Sequence, residues 1–143
     1  MKATGQNEIV RRPIGITALG GFFVFGTLAS GLAVLLLIFP GGPLEPVWHI
    51  NPRGHEGFVR MGGWAFVLLV PVCLACAVTA LGLFQGRRWG YRLAITLLLL
   101  NLTGDVVNVA MGSERRAILG LPVAALLLWY LRSSSVKSFF STT

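Results

Sequence analysis

The amino-acid sequence predicts an all-α integral membrane protein, folded as a four-helix bundle, and three observations lead to that prediction. Of the 143 residues, 55% are hydrophobic and only 12% are charged, and the mean hydropathy is +0.75. A membrane-spanning helix needs about 20 largely apolar residues, and the chain contains four long apolar segments. Arginine, proline or glycine residues separate these segments. Because ordinary soluble domains are far less apolar, we expect a single transmembrane domain.

The first predicted span covers residues 14–39 and contains no charged residue. Arg12 and Pro13 precede it, and a proline in the first helical turn loses no hydrogen bond that the helix needs. The sequence Pro-Gly-Gly-Pro at residues 40–43 cannot continue a helix, so the span ends there. The apolar run is too long for a cleaved signal peptide, and no small-residue cleavage pattern follows it.

Three further spans are predicted, at residues 63–84, 93–111 and 117–131. The last has only fifteen strongly apolar residues and contains Pro122. Its helix therefore either includes the polar residues 133–135 or is slightly shorter than a full membrane span. Residues 40–62 form an outer loop, and residues 133–143 form a polar tail. The few apolar residues of this tail suit either an interfacial segment or a disordered one.

The basic residues are distributed unevenly between the two sides of the predicted bundle. The larger set has eight members, Lys2, Arg11, Arg12, Arg87, Arg88, Arg92, Arg132 and Lys137, and the smaller set has four, Arg53, Arg60, Arg115 and Arg116. Because an excess of Lys and Arg marks the cytoplasmic side, both termini are expected in the cytoplasm. Arginines that anchor helix ends and meet anionic lipid account for the net charge of +7, so no nucleic-acid partner is predicted.

Asp105 is the one ionisable residue within the third predicted span. Asn101 lies four residues before it and Asn108 three residues after it, so the three polar side chains share one face of a helix. An ionisable side chain in hydrocarbon is costly and is therefore often functional. Two interpretations stay open: a structural role with a buried partner, or a site that binds a proton, a cation or a small polar ligand from the outer side.

The structural interpretation of Asp105 needs a partner for its carboxylate. Arg60, Arg115 and Arg116 are the candidates for an ion pair, because a long arginine side chain can extend along apolar surface. Hydrogen bonds to polar groups of neighbouring helices are the alternative. Under either interpretation, Gly104 is expected to leave room for a neighbouring helix or a ligand.

Small residues recur at a spacing of four in the first span, where Gly26 pairs with Ser30 and Thr27 with Gly31. Such pairs let helix backbones approach closely in lipid, where packing rather than water expulsion drives association. The pattern therefore predicts a contact helix. Its partner is either another helix of this chain or a helix of another membrane subunit.

The outer loop is expected to contain a short helix that leads straight into the second span. Asn51 followed by Pro52 is typical of a helix N-cap and a first helical position. Glu56 and Arg60 would then form an ion pair one turn apart.

Both histidines of the chain, His49 and His55, also lie in this loop, near Glu45 and Glu56. Their spacing matches no strong zinc pattern, and the HExxH motif is absent from the sequence, so no metal site is predicted. Because the histidines lie outside the predicted spans, a buried axial ligand for a pigment is not favoured either.

Cys73 and Cys76 form a C-x-x-C motif in the middle of the second span, just after Pro71. Reactive thiols of this spacing lie in electropositive and accessible surroundings, whereas these lie in an apolar segment. The prediction is that both cysteines act as small packing residues. A redox or quinone-coupled role is the alternative.

Two runs of residues resemble small four-span bacterial membrane proteins of unknown function. They are Arg12-Pro13-Ile14-Gly15-Ile16-Thr17, which opens the first span, and Gly82-Leu83-Phe84-Gln85-Gly86-Arg87-Arg88-Trp89-Gly90 at a predicted cytoplasmic turn. The resemblance implies a four-span fold in a bacterial inner membrane. It implies no catalytic residue.

These observations favour a non-enzymatic membrane protein that acts through helix contacts. Its expected partners are the lipid bilayer and either other membrane subunits, which it would serve as an accessory or assembly subunit, or further copies of itself. One alternative is a small transporter or channel component that uses Asp105, Asn101 and Asn108. Another is a membrane redox enzyme that uses Cys73 and Cys76. The sequence assigns no cofactor.

Overall fold

The computed structural model describes residues 13–110 and 117–141, and every regular element among them is helical. In chain order these are α1 (Ile14–Ile38), a short 3₁₀ helix (Glu45–Ile50), α2 (Pro52–Met61), α3 (Gly63–Phe84), α4 (Arg88–Ala110), α5 (Ala117–Leu131) and α6 (Ser134–Ser141). The prediction of an all-α fold is confirmed.

Three of these helices are long and apolar enough to cross a membrane: α1, α3 and the part of α4 from Arg88 to Val107. The apolar helix α5 has 15 residues and contains Pro122, and its described apolar part is shorter than the other three. The predicted bounds of the first, second and fourth spans agree with α1, α3 and α5 to within one residue.

The helix that contains the third predicted span starts before it, because α4 begins at Arg88, five residues ahead of residue 93. Arg88 and Arg92 lie inside its first turns. The apolar run marks only the stretch suited to hydrocarbon, whereas arginine is a good helix former and continues the helix beyond that stretch.

A Schellman motif ends α3. Gly86 has a φ of +68°, a left-handed conformation that glycine adopts without steric cost. Its N–H donates to the Leu83 carbonyl at 3.1 Å, and the Arg87 N–H donates to the Gly82 carbonyl at 2.9 Å. These two hydrogen bonds satisfy carbonyl groups at the helix end. The chain then turns at once into α4, which starts at Arg88.

The end of α3 and the start of α4 touch through a pair of glycines. A Cβ atom placed on Gly82 would lie 2.7 Å from the Gly90 Cα, and one placed on Gly90 would lie 2.6 Å from the Gly82 Cα. Real Cβ atoms essentially never approach other atoms that closely. Glycine at both positions therefore allows the backbones of these two helix ends to come into contact.

The chain divides into two compact units. One combines the start of α1, up to Leu19, with the chain from Gly82 onward. In this unit α4 packs against α5, and α6 contacts both helices. Leu98 of α4 and Leu131 of α5 are fully buried, and Gly15 of α1 contacts the ring of Tyr130.

The other unit spans Gly20–Leu81 and comprises most of α1 and α3 with the loop between them. In this loop the Gly54 N–H donates to Asn51 Oδ1 at 3.1 Å, which confirms Asn51 as the N-cap of α2. As expected, α2 leads into α3, with the single residue Gly62 between them. Gly62 separates the two helices with a φ of +55°, a conformation that breaks the helical path.

The tail forms a helix in its described part. Of its apolar side chains, Val136 and Phe140 are buried. The polar residues between them face outward, so α6 is amphipathic and lies against its unit through one face. Ser134–Ser141 is therefore a helix and not a disordered segment, and its position at the membrane interface stays a prediction.

Candidate functional site

The Asp105 carboxylate lies on α4 next to one of its two predicted polar neighbours. The Asn101 side-chain amide donates to Asp105 Oδ2 at 3.3 Å, as expected for residues four apart on a helix. Asp105 is half-buried and Asn101 is exposed. The side chain of Asn108 lies outside the described residues. The polar face predicted for this helix is thus an Asp–Asn pair in its described part.

The carboxylate of Asp105 also packs against the backbone of α5 at Gly120. A Cβ atom placed on Gly120 would lie 2.5 Å from Asp105 Oδ2 and 3.2 Å from its Cγ. The carboxylate therefore occupies the space that a side chain at position 120 would need. Gly120 is a residue that sequence reasoning missed, although a glycine within an apolar helix is a signal of close packing.

Gly104 leaves open space on α4, and its expected use by a neighbouring helix or a ligand stays a prediction. A Cβ atom placed there would meet nothing within 4 Å, so no neighbouring backbone approaches at this position. Successive helix residues point about 100° apart, and Gly104 consequently faces away from the side on which Asp105 meets α5.

Among the arginines predicted to pair with Asp105, Arg115 and Arg116 lie outside the described residues. Arg60 belongs to α2, in the unit Gly20–Leu81. The ion pair of Asp105 therefore stays a prediction, and its hydrogen bond from Asn101 is the polar contact that the structure gives it.

The small residues of α1 receive the two cysteines of α3. Cys76 Sγ lies 3.3 Å from the position of a Cβ on Gly26, and Cys73 Sγ lies 3.5 Å from that on Gly31. The Cys73 thiol donates a hydrogen bond to the Thr27 carbonyl at 3.4 Å. The small residues of α1 and the thiols of α3 thus form one helix contact, in which both sulfur atoms serve as packing groups.

The hydroxyl groups near this contact are satisfied by carbonyls of their own helix. Thr27 Oγ1 donates to the Phe23 carbonyl at 2.9 Å, and Ser30 Oγ donates to the Gly26 carbonyl at 2.7 Å. In α3, Thr79 Oγ1 donates to the Ala75 carbonyl at 2.7 Å. Hydrogen bonds of this kind let a hydroxyl lie in apolar surroundings without an external partner.

An apolar groove of about 660 Å³ runs beside the contact between α1 and α3. Its lining residues are Thr27, Leu28, Gly31, Leu32, Val34, Leu35, Val70, Cys73 and Leu74. We call this surface the α1–α3 groove. None of the lining side chains is charged, and three of them, at Thr27, Gly31 and Cys73, are small.

A second cavity, of about 580 Å³, lies in the loop before α3. Glu45, His49, His55 and Glu56 line it, and the imidazole of His55 stacks on Trp48 with ring centroids 4.6 Å apart. Within the described residues, no three His, Cys, Asp or Glu side chains are arranged to hold a metal ion. Arg60 is exposed on α2 one turn after Glu56, and their ion pair stays a prediction.

Side chains at the start of α4 donate hydrogen bonds to carbonyl groups at the ends of α5 and α6. Tyr91 Oη donates to the Leu131 carbonyl at 2.9 Å, and Arg88 Nε donates to the Phe140 carbonyl at 2.7 Å. The rings of Tyr91 and Phe140 lie 5.0 Å apart. Cationic and polar donors at helix C-termini satisfy carbonyls that lack a partner within the helix.

Comparison of the chain with protein-family models, with curated proteins and with solved structures gave no match. The resemblance to small four-span bacterial membrane proteins therefore stays a prediction. Function has to be argued from the helix contacts, the α1–α3 groove and the surroundings of Asp105.

Proposed function

We propose that the protein is an integral protein of a bacterial inner membrane that acts through helix contacts, as an accessory or assembly subunit of a larger complex or as a homo-oligomer. In this proposal α1, α3, α4 and α5 cross the bilayer as a four-helix bundle, and both termini are cytoplasmic. The α1–α3 groove is the observation that carries the proposal.

Large apolar side chains around this groove point outward. Leu28 of α1 is 66% exposed and Leu74 of α3 is 61% exposed. Such exposure is unfavourable in water, at roughly 25 cal/mol per Å² of apolar surface, but carries no cost in hydrocarbon. In a bilayer, small residues between such side chains permit another helix to approach closely. The groove therefore fits a transmembrane helix of a partner subunit or of a second copy.

The polar groups of the described helices support the same function. The Asp105 carboxylate contacts Asn101 and the backbone at Gly120, and the Cys73 thiol is bonded to the Thr27 carbonyl. Each of these groups takes part in contacts between or along helices. An arrangement in which reactive side chains serve packing favours an assembly role over catalysis.

A pair of valines on α3 tests the groove. Val70 lines it, whereas Val72 does not, and the two side chains are 41% and 42% exposed. Two residues apart on a helix, they point to nearly opposite sides. We expect Val70→Phe to fill the groove and reduce the fraction of assembled protein about tenfold, since a loss of about 1.4 kcal/mol of contact energy has that effect.

Native mass spectrometry of the protein released from lipid nanodiscs measures that fraction and identifies the partner polypeptide or second copy. Val72→Phe is the control and should leave assembly unchanged. Equal assembly in both variants would show that the groove is not the contact surface. Equal loss in both would show a nonspecific effect of bulk on the lipid-facing surface of α3.

A second candidate function is a small transporter or channel component. The half-buried carboxylate of Asp105, which accepts a long hydrogen bond from Asn101, is the observation that favours it, because an ionisable group at membrane depth is a default candidate for binding a proton, a cation or a polar ligand. Asn108 completes the predicted face of α4.

Replacing Asp105 by Asn separates the two functions. The amide keeps the shape of the side chain but removes its charge, so a transporter should lose nearly all proton or cation flux while its thermal unfolding stays close to that of the wild type. Flux is measured in proteoliposomes with a pH-sensitive or cation-sensitive dye. Wild-type protein that carries no flux above empty liposomes, with Asp105→Asn altering only assembly or stability, would leave helix contact as the function.

A further inference from the structure

The last two turns of α5 form a second groove, distinct from the α1–α3 groove. Ala125, Leu128, Trp129 and Arg132 follow the spacing i, i+3, i+4 and i+7, so they lie on one face of the helix. Together with Ser133 they line a cavity of about 520 Å³. We call it the Trp129 groove. Its walls are apolar along the helix, and Arg132 and Ser133 lie at its polar end.

The polar end of this groove lies in a positively charged part of the chain. Residues 82–92 and 131–143 together contain the basic residues Arg87, Arg88, Arg92, Arg132 and Lys137, and no acidic residue. The Arg132 side chain is exposed. An anion that reaches the end of the groove would therefore meet no competing carboxylate from these segments.

The polar end also offers a hydrogen-bond donor. Ser133 Oγ is buried and has no hydrogen-bond partner among the residues that the structure describes. A buried hydroxyl without a partner costs on the order of 1–3 kcal/mol. Rotation of the Ser133 side chain toward the groove would let a phosphate oxygen accept a hydrogen bond from this hydroxyl, which would remove that cost.

Trp129 gives the groove the character of a membrane interface. Its side chain is 77% exposed, one turn before Arg132. Tryptophan rings concentrate at the level of lipid headgroups, and arginine extends from there to the phosphates. An apolar channel, an interfacial ring and a cation thus follow one another along one helix face.

We propose that the Trp129 groove binds one anionic phospholipid, with an acyl chain along Ala125 and Leu128 and the phosphate at Arg132. This proposal rests on the membrane location proposed above. Basic pockets beside transmembrane helices are sites where anionic headgroups bind. The ligand class follows from both ends of the groove, because the walls need hydrocarbon and the end needs a negative charge.

Quenching of tryptophan fluorescence by brominated lipids tests this binding. The protein is placed in vesicles that contain a fixed fraction of brominated phospholipid, either phosphatidylglycerol or phosphatidylcholine. We expect about fivefold enrichment of the anionic lipid at Trp129, as follows from roughly one favourable charge contact. The wild-type protein should therefore be quenched more strongly by brominated phosphatidylglycerol than by brominated phosphatidylcholine.

Trp64 supplies a matched control, since it is 72% exposed and lies on α3. In a background that carries Trp89→Phe, Trp129→Phe should abolish the difference between the two lipids, and Trp64→Phe should preserve it. Arg132→Gln should also abolish it, whereas Arg132→Lys should retain it because the positive charge remains. Circular dichroism of each variant verifies that its helix content is unchanged.

Four results would overturn the proposal in distinguishable ways. Equal quenching by the two lipids in the wild type would exclude a specific anionic lipid and leave the membrane location intact, whereas the absence of quenching by either lipid would overturn the membrane location itself. A lipid preference that survives Arg132→Gln would exclude that residue. Relief of quenching by inorganic phosphate at constant ionic strength would show a site for free phosphate instead of a lipid.

Discussion

Asp105 and Gly120 depend on each other across the contact of α4 with α5. The carboxylate fills the space beside the α5 backbone that only a glycine leaves open. Its other contact, the hydrogen bond from Asn101, then holds the side chain in that position. At the scale of single residues, the charged group therefore belongs to helix packing whether or not it also binds an ion.

Replacing Gly120 by Ala should lower the free energy of unfolding by about 1–2 kcal/mol. The added methyl group displaces the carboxylate, a form of overpacking, and weakens its hydrogen bond with Asn101. Unfolding in mixed detergent micelles, followed by circular dichroism, measures the change.

Gly104→Ala is the matched control for this substitution. Both glycines lie inside helices, but a Cβ at position 104 meets nothing within 4 Å, so this variant should gain up to about 1 kcal/mol from helix propensity. Equal changes in the free energy of unfolding would show that the Asp105 carboxylate moves aside without cost and that packing does not require glycine at position 120.

Of the two contacts of Asp105 described above, only the one with Asn101 could be predicted from the sequence. Its pairing with Asn101 follows from a spacing of four residues within one helix, which is a local property. The contact with Gly120 joins residues on different helices. It depends on how α4 and α5 cross, and no local pattern encodes that crossing. Gly104 was the expected site of close approach because it is the neighbour in sequence.

At the scale of elements, three glycines define the turn between the end of α3 and the start of α4. Gly86 ends α3 through two hydrogen bonds, and the Gly82–Gly90 pair brings the two backbones into contact. Gly86 provides the left-handed backbone conformation, whereas Gly82 and Gly90 leave the space in which the two backbones meet. The Gly-rich turn at residues 82–90 therefore serves helix packing.

Gly90→Ala should destabilise the protein by about 3 kcal/mol, the upper range for overpacking. The new methyl group would meet backbone atoms of Gly82 and Leu83, which cannot rotate away as a side chain can. Gly21→Ala in α1 is the control, because a Cβ there meets nothing within 4 Å. The thermal midpoint of each variant in one detergent gives the comparison, and a Gly90→Ala midpoint equal to that of the control would contradict the close contact.

The element bounds could be predicted from the sequence where an apolar run and a helix end together. This holds for α3 and α5, which end at basic or glycine-rich turns. It does not hold at the start of α4, where the helix extends through charged residues. Hydropathy reports the suitability of a segment for lipid, whereas backbone dihedral angles set the ends of a helix.

At the scale of the whole molecule, the distribution of charge predicts the orientation of the chain. The proposed topology places His49, in the loop before α3, outside the cell, and Lys137, on α6, in the cytoplasm. Both side chains are exposed. Each can therefore be replaced by a single cysteine without disturbing a buried contact, in a background in which Cys73 and Cys76 are replaced by Ala.

Labelling of these cysteines with a membrane-impermeant maleimide tests the orientation. In right-side-out vesicles His49→Cys should react and Lys137→Cys should not, because an excess of Lys and Arg keeps a segment in the cytoplasm. In inverted vesicles the pattern should reverse, which serves as the internal control for reactivity. Labelling of both positions from the same side would contradict this topology. The chain would then cross the membrane an even number of times between residues 49 and 137, so one of the three proposed spans α3, α4 and α5 would not cross it.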